Sequence, residues 1–208
     1  MKVTALTVQA RNKNRVNVSL DGAFAFGLAS IVAVRLRLGQ ELTEAEIERL
    51  QAADAEEVAH ERALKFLAAR PRSETEVRQR LQKHKVAAPA IEAVLARLRA
   101  AGLIDDQAFA RYWVENRNTF RPRSARALRM ELKRKGVAGD ALGEALDDAN
   151  DAEAAYALAA KRAPRLAALP EPEFRRKLSE YLARRGFSFD LIETVAARLW
   201  QEQRCPND

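Results

Sequence analysis

Arg70-Pro71-Arg72-Ser73 recurs as Arg121-Pro122-Arg123-Ser124, fifty-one positions later in a chain of 208 residues. Four matching residues can arise by chance, so the flanks decide. Ser73 precedes Leu81 by eight positions, Ser124 precedes Leu132 by eight, and Leu182 follows fifty positions further on. Each of these leucines is followed five residues on by Val86, Val137 or Phe187, and ten on by Ile91, Leu142 or Ile192. Three copies in one register identify tandem units of about fifty residues.

Each copy resolves into three helices. In the first, residues 55–69 carry Val58, Ala59, Leu64, Phe66 and Leu67, and the Arg-Pro linker breaks the chain because a residue before proline avoids the helical region. Ser73 with Glu76 is a capping box that starts a helix burying Val77 and Leu81. A third helix holds Ile91, Val94, Leu95 and Leu98. The second copy repeats the plan with Phe109, Tyr112, Trp113 and Val114 as core, then Leu128 and Leu132, a C-cap at Gly136, and a short helix with Leu142 and Leu146. The third has Tyr156 and Leu158, then Leu178, Tyr181 and Leu182, a C-cap at Gly186, and Leu191 to Trp200. In the first copy Lys85 stands where the others have Gly136 and Gly186, so that helix end needs another cap. A fifty-residue unit has a thin core, which favours stacking of neighbours. The expectation is a mainly α chain: tandem three-helix repeats over 53–104, 105–150 and 151–208, in an elongated curved stack behind an N-terminal module, 1–52.

That module alone shows a period of two. Val3, Leu6 and Val8 lead to a polar turn at Arg11-Asn12-Lys13-Asn14; Val16, Val18 and Leu20 alternate; Asp21-Gly22 is a hairpin turn; Phe24 and Phe26 resume. The pattern predicts three short antiparallel strands, which must pack on a helix or a partner to be stable. Ile31, Val32, Val34, Leu36 and Leu38 predict a short apolar helix, and Thr43 with Glu46 opens another through Ile47 and Leu50. Two roles fit the module: a packing cap for the helical part, or a contact surface that uses the Arg11–Arg15 loop.

Composition narrows the function. Apolar residues make up 48% of the chain but aromatics only 6%, a balance that suits helices. The single Cys205 permits no intrachain disulfide and fits a reducing, cytoplasmic compartment. His60 and His84 have no ligand partners at zinc spacing, so neither a metal nor a cofactor is expected. No phosphate loop or nucleophile elbow is present, and Asp105-Asp106 reads as a helix N-cap rather than a catalytic carboxylate pair. No apolar run is long enough for a signal peptide or a membrane span.

The net charge of +7 is unevenly placed. Between Arg111 and Lys135 nine bases face two acids; between Arg62 and Lys85 eight face two; between Arg175 and Arg185 five face one. Bases therefore collect on second helices and the linkers before them. A helix dipole accounts for Lys83, Lys135 and Arg185 near helix C-termini. It does not account for Arg121, Arg123 and Arg126, which sit where cations are disfavoured. The later helix of the second copy offers Asp140, Glu144, Asp147 and Asp148, which excludes it as a major-groove reader. Aromatics for base stacking are sparse, and of Tyr112, Trp113 and Phe120 near the arginines, the first two are expected in the core.

Four strings carry a resemblance: Phe66 to Val77, the junction Leu98-Arg99-Ala100-Ala101-Gly102-Leu103-Ile104-Asp105-Asp106-Gln107-Ala108-Phe109-Ala110, Glu131-Leu132-Lys133-Arg134-Lys135-Gly136-Val137, and Leu182-Ala183-Arg184-Arg185-Gly186-Phe187-Ser188. In this order they resemble the RecX family over about residues 55 to 200, and the pattern around Asn14-Arg15, Leu20-Asp21-Gly22 and Phe26-Gly27-Leu28 resembles the leader of its longer members. The resemblance implies a non-catalytic regulator of the RecA recombinase that lodges in the groove of the RecA filament on single-stranded DNA. There it would hinder extension, ATP hydrolysis and strand exchange. It also implies a monomer free of membranes, and a contact face formed by Arg70, Arg72, Arg121, Arg123, Arg126, Arg129, Lys133, Arg134, Arg184 and Arg185. The rival reading is a general nucleic-acid-binding helical repeat protein without RecA specificity.

Overall fold

The leucines that fix the repeat register are its core. Leu81, Leu132 and Leu182 are each fully buried, and Ile91, Leu142 and Ile192, ten residues on, are buried with them. The computed structural model describes residues 1–204; Cys205, the one cysteine, lies outside the described residues. The chain divides into two compact units, Met1–Ile104 and a second from Asp105 onward.

In the first unit, β1 (Val3–Gln9), β2 (Asn12–Leu20) and β3 (Ala23–Ala29) form an antiparallel sheet in the order β1-β2-β3. Val18 pairs with Leu6 on one side and Phe26 on the other, so one face gathers the apolar residues. That face packs Val3, Val18, Leu20 and Leu28 against Val32, Ala33, Leu36 and Leu42. Asp21 (φ 48°) and Gly22 (φ 89°) make the tight turn between β2 and β3, with both central residues left-handed. The first turn is shorter than the polar run suggested: Asn12 already pairs with Gln9, and Asn12–Asn14 belong to β2.

The expected apolar helix over 31–38 is one turn only, α1 (Ser30–Ala33). Val32, Ala33 and Leu36 are buried, whereas Ile31, Val34 and Leu38 are exposed, so the apolar run bends over the sheet instead of continuing as a helix. The two helices expected on either side of residue 52 are one, α2 (Glu44–Leu67). It starts at the expected Thr43–Glu46 capping box and meets no proline or glycine until the Arg-Pro linker. It contributes Ala59 and Ala63 to the repeat core, with Phe66 and Leu67 half-buried against it as expected; Leu64, also expected there, is exposed. Small residues at this contact let α3 (Glu74–Lys83) and α4 (Ala88–Ala100) approach closely and supply the bulk: Val77, Leu81, Val94, Leu95 and Leu98.

The glycine missing from the end of α3 is replaced by strain. Lys85 itself adopts the left-handed conformation (φ 58°), and the Val86 N–H donates to the Leu81 carbonyl at 3.2 Å. The same bond, Val137 N–H to Leu132 O at 3.1 Å, closes the helix ended by Gly136 (φ 84°).

The second unit holds α5 (Asp106–Phe120), α6 (Ala125–Arg134), α7 (Asp140–Glu144), α8 (Asp151–Arg162), a single 3-10 turn at Ala163–Leu166, α9 (Glu171–Ala183) and α10 (Phe189–Arg204). Asp105 is the N-cap of α5, its carboxylate accepting from the Gln107 and Ala108 N–H groups. Two separate cores result, one around Phe109, Leu128 and Leu132, the other around Phe174, Leu178, Leu182 and Leu199. Trp113 is half-buried beside the first, but Tyr112 is not core; it lies on the outer side of α5. No helix among the described residues is long and apolar enough to cross a membrane.

Candidate functional site

The two Arg-Pro-Arg-Ser linkers begin alike and end differently. In repeat 1 the Arg70 guanidinium forms a two-point pair with Glu76, at 2.8 and 3.3 Å. Arg78, on the next turn of α3, pairs with Glu74 at 3.1 Å and with Glu92 of α4. Those pairs draw Glu92 below the usual carboxylate range, chiefly through its hydrogen bond with Arg78. Arg72 lies over the Phe66 ring, 4.0 Å from its centre, with its Nε buried and without a hydrogen-bond partner. Burial and the nearby Arg70 lower the Arg72 pKa from its ordinary value.

Fifty-one positions on, all three acids are gone. Glu74, Glu76 and Glu92 correspond to Ala125, Ala127 and Gly143. Arg121 and Arg129, the counterparts of Arg70 and Arg78, form no ion pair among the described residues, and the first turn of α6 carries no acid. Arg126, Lys133, Arg134 and, from repeat 3, Arg184 are likewise exposed and unpaired among the described residues. Helical spacing puts Arg126, Arg129 and Lys133 on one face of α6, opposite the buried Leu128 and Leu132.

Four of the ten expected contact residues are occupied within the chain. Arg70 and Arg72 are held as described. Arg123 pairs with Glu131 at 3.1 Å, and Arg185 lies 3.7 Å from the centre of the Tyr181 ring while donating to the Tyr181 carbonyl at 3.0 Å. Glu131 is a hub: it also accepts from the Trp113 indole N–H at 2.9 Å and from Arg117 Nε at 2.8 Å. Arg117 in turn covers Trp113, which fixes the end of α5 against α6.

A joint within the second unit brings the two basic segments together. Ser124 caps α6, accepting from the Ala127 N–H at 3.2 Å, and its hydroxyl donates to the Gly186 carbonyl at 2.7 Å. The Ser124 N–H donates to the Arg185 carbonyl at 3.1 Å. Gly186 fits there only without a side chain: an added Cβ would stand 2.8 Å from both Ala127 Cβ and Ser124 Oγ. Ala127, which replaces the neutralising acid of repeat 1, is thus also the residue small enough to receive this turn. Arg121 and Arg126 lie within three residues of Ser124 and Arg184 two before Gly186, so the joint ties together the segments that carry them. Sequence spacing singled out Ser124 and Gly186 separately, as caps; their contact across sixty-two positions was not legible.

A small sheet module followed by three-helix repeats, one of which leaves Arg121, Arg126 and Arg129 without an ion pair among the described residues, defines a helical-repeat protein with a basic segment in its second repeat. The chain belongs to the RecX family. Its residues 1–43 match the regulatory protein RecX N-terminal domain, and residues 59–98, 105–146 and 149–195 match the first, second and third RecX three-helix domains. It is 34% identical over 198 residues to the regulatory protein RecX of Bacillus licheniformis, covering 93% of this chain and 75% of that one. The RecX regulatory protein of Levilactobacillus brevis is 35% identical over 202 residues, covering 95% and 76%. Among solved structures, a regulatory protein RecX superposes with a TM-score of 0.75 at 30% identity, covering 94% of this chain and 98% of that one. RecX from Lactobacillus salivarius superposes with a TM-score of 0.61 at 25% identity, covering 71% and 97%.

Proposed function

We propose that this chain is a non-catalytic negative regulator of the RecA recombinase. It binds in the groove of the RecA filament on single-stranded DNA and inhibits filament extension, ATP hydrolysis and strand exchange. The observation that carries the reading is the contrast between Arg70 and Arg78 of repeat 1 and their counterparts Arg121 and Arg129 of repeat 2. The same arginines are neutralised by Glu74, Glu76 and Glu92 in repeat 1 and left unpaired beside Ala125, Ala127 and Gly143 in repeat 2. Arg126, unpaired in the first turn of α6, stands where a cation is unfavourable for folding, so its presence is better explained by an anionic partner. Membership of a family of regulatory proteins supports the same direction.

Arg121, Arg126, Arg129, Lys133, Arg134 and Arg184 are the primary contacts in this proposal. Arg123 and Arg185 shape the joint through Glu131 and Tyr181 and contribute charge from behind it. Arg70 and Arg72, already engaged, contribute least. The chain acts in the cytoplasm as a monomer, with the DNA backbone and acidic RecA surface as its anionic partners.

RecA ATP hydrolysis on single-stranded DNA tests the proposal when the chain is added well below one molecule per RecA. Filament action predicts inhibition at that ratio. Inhibition only as the DNA becomes saturated would instead show competition for the strand, as expected of a general nucleic-acid binder. If phosphates are touched directly, affinity for the strand should fall with salt by a slope of about 0.7 per phosphate contact.

A further inference from the structure

Most large rings of the second unit are accounted for by the fold. Phe109, Phe174 and Phe187 are buried; Trp113, Tyr156, Tyr181 and Trp200 are each covered by a cation of the same chain, Arg117, Arg198, Arg185 and Arg204 respectively. Tyr112 lies on the outer side of α5 at 36% exposed, and Phe120 and Phe189 are far more open. They are 74% and 75% exposed, and neither makes a ring or cation contact among the described residues.

Their positions are not scattered. Phe120 is the last residue of α5, four before Ser124; Phe189 is the first of α10, three after Gly186. Ser124 donates to the Gly186 carbonyl at 2.7 Å, so the two open rings stand on the chain segments that this joint ties together, Phe189 beside Arg175 and Arg176 of α9. The other repeats lack them. Ala69 stands at the position of Phe120, and Ala88 and Gly139 stand at the position of Phe189. The segments that lack the acids of repeat 1 carry two open rings.

We propose that Phe120 and Phe189 are stacking residues for the unpaired bases of single-stranded DNA, with Arg121, Arg126 and Arg184 on the adjoining phosphates. This rests on the DNA contact proposed above and goes beyond it: the chain reads the strand's bases by their faces as well as its charge. A phenylalanine three-quarters exposed leaves most of its apolar surface in water. A base laid on it removes that surface, and stacking of this kind is tolerant of sequence because every base has a π face. Paired bases in a duplex present no such face, so the site distinguishes single strands from double.

The test compares the full chain binding to labelled oligothymidylate and to an abasic strand of equal length, which has the phosphates without the bases, by fluorescence anisotropy. The expected result is binding to oligothymidylate at least about tenfold tighter than to the abasic strand. The double variant Phe120→Ala/Phe189→Ala should bind both strands equally, at the abasic affinity. Phe120→Leu/Phe189→Leu, which keeps apolar bulk, should do the same. Arg121→Ala/Arg126→Ala should weaken both strands alike. Trp113 and Trp200 fluorescence reports that the variants remain folded.

Equal affinity of the unaltered chain for the two strands, still weakened by salt, would overturn the stacking while leaving the DNA contact in place. No binding to either strand would overturn both. A double variant that kept the base preference but lost inhibition of RecA would show that the rings face protein, and would overturn the assignment.

Discussion

Gly186→Ala should cost the second unit about 2–5 kcal/mol. Two separable effects contribute. Gly186 has φ 89°, a conformation that opposes a side chain by about 1–2 kcal/mol. The new Cβ would also stand 2.8 Å from Ala127 Cβ and from Ser124 Oγ, inside contact distance, and overpacking of this kind costs about 1–3 kcal/mol. Both tryptophans, Trp113 and Trp200, lie in the second unit, so their fluorescence in urea follows its unfolding. The midpoint should fall by more than about 1 M. Repeating the substitution in an Ala127→Gly background removes one of the two clashes and should reduce its cost by about 1 kcal/mol, measured as the coupling of a double-mutant cycle. A cost of about 1 kcal/mol or less, or no coupling to position 127, would refute the packed joint that gathers the cations.

Lys85→Gly should stabilise the first unit by about 1 kcal/mol, because Lys85 holds a left-handed conformation that glycine adopts freely; an unchanged denaturation midpoint by circular dichroism would contradict this. Ala127→Glu should both crowd Gly186 and give Arg121 the kind of partner Arg70 has in Glu76, so inhibition of RecA should weaken together with stability; a variant that inhibits fully would contradict the pairing argument. Burial, and then the charge of Arg97, lowers the His60 pKa. The unfolded chain therefore takes up this proton more readily, so stability should be complete above the ordinary histidine pKa and decline as the pH falls through it. Urea midpoints between about pH 7.5 and pH 5 should show that decline in the native chain and a smaller one in His60→Gln.

The repeat was readable because it is written in buried residues. Leu81, Leu132 and Leu182 occupy equivalent core positions, and a core position tolerates few substitutes, so spacing alone revealed the helices and their order. The caps were readable for a related reason: Ser73 with Glu76 and Thr43 with Glu46 satisfy backbone N–H groups by local rules. Residues 31–38 were misleading because Val34 and Leu38, apolar by composition, face outward over a bend. The join across residue 52 was missed because nothing in α2 breaks a helix, and its buried residues are alanines, which barely mark a face.

The charge pairing was half legible. Windows of charge found the basic segments of repeats 1 and 2 nearly equal, since a count of charges cannot see that Arg78 crosses to Glu92 or that Arg70 folds back on Glu76. Placing the two repeats at their own spacing separates them, because the acids of one are the alanines and glycine of the other. Phe120 was noted beside the arginines but low aromatic content argued against stacking; composition cannot tell a buried ring from one left open to solvent.

The most direct measurement is RecA ATP hydrolysis on single-stranded DNA with the native chain and with Arg121→Ala/Arg126→Ala/Arg129→Ala, both well below one molecule per RecA. These three arginines have no partner among the described residues, so the variant should keep its circular dichroism spectrum and tryptophan fluorescence. The account predicts strong inhibition by the native chain and little by the folded variant. Full inhibition by the folded variant would contradict it.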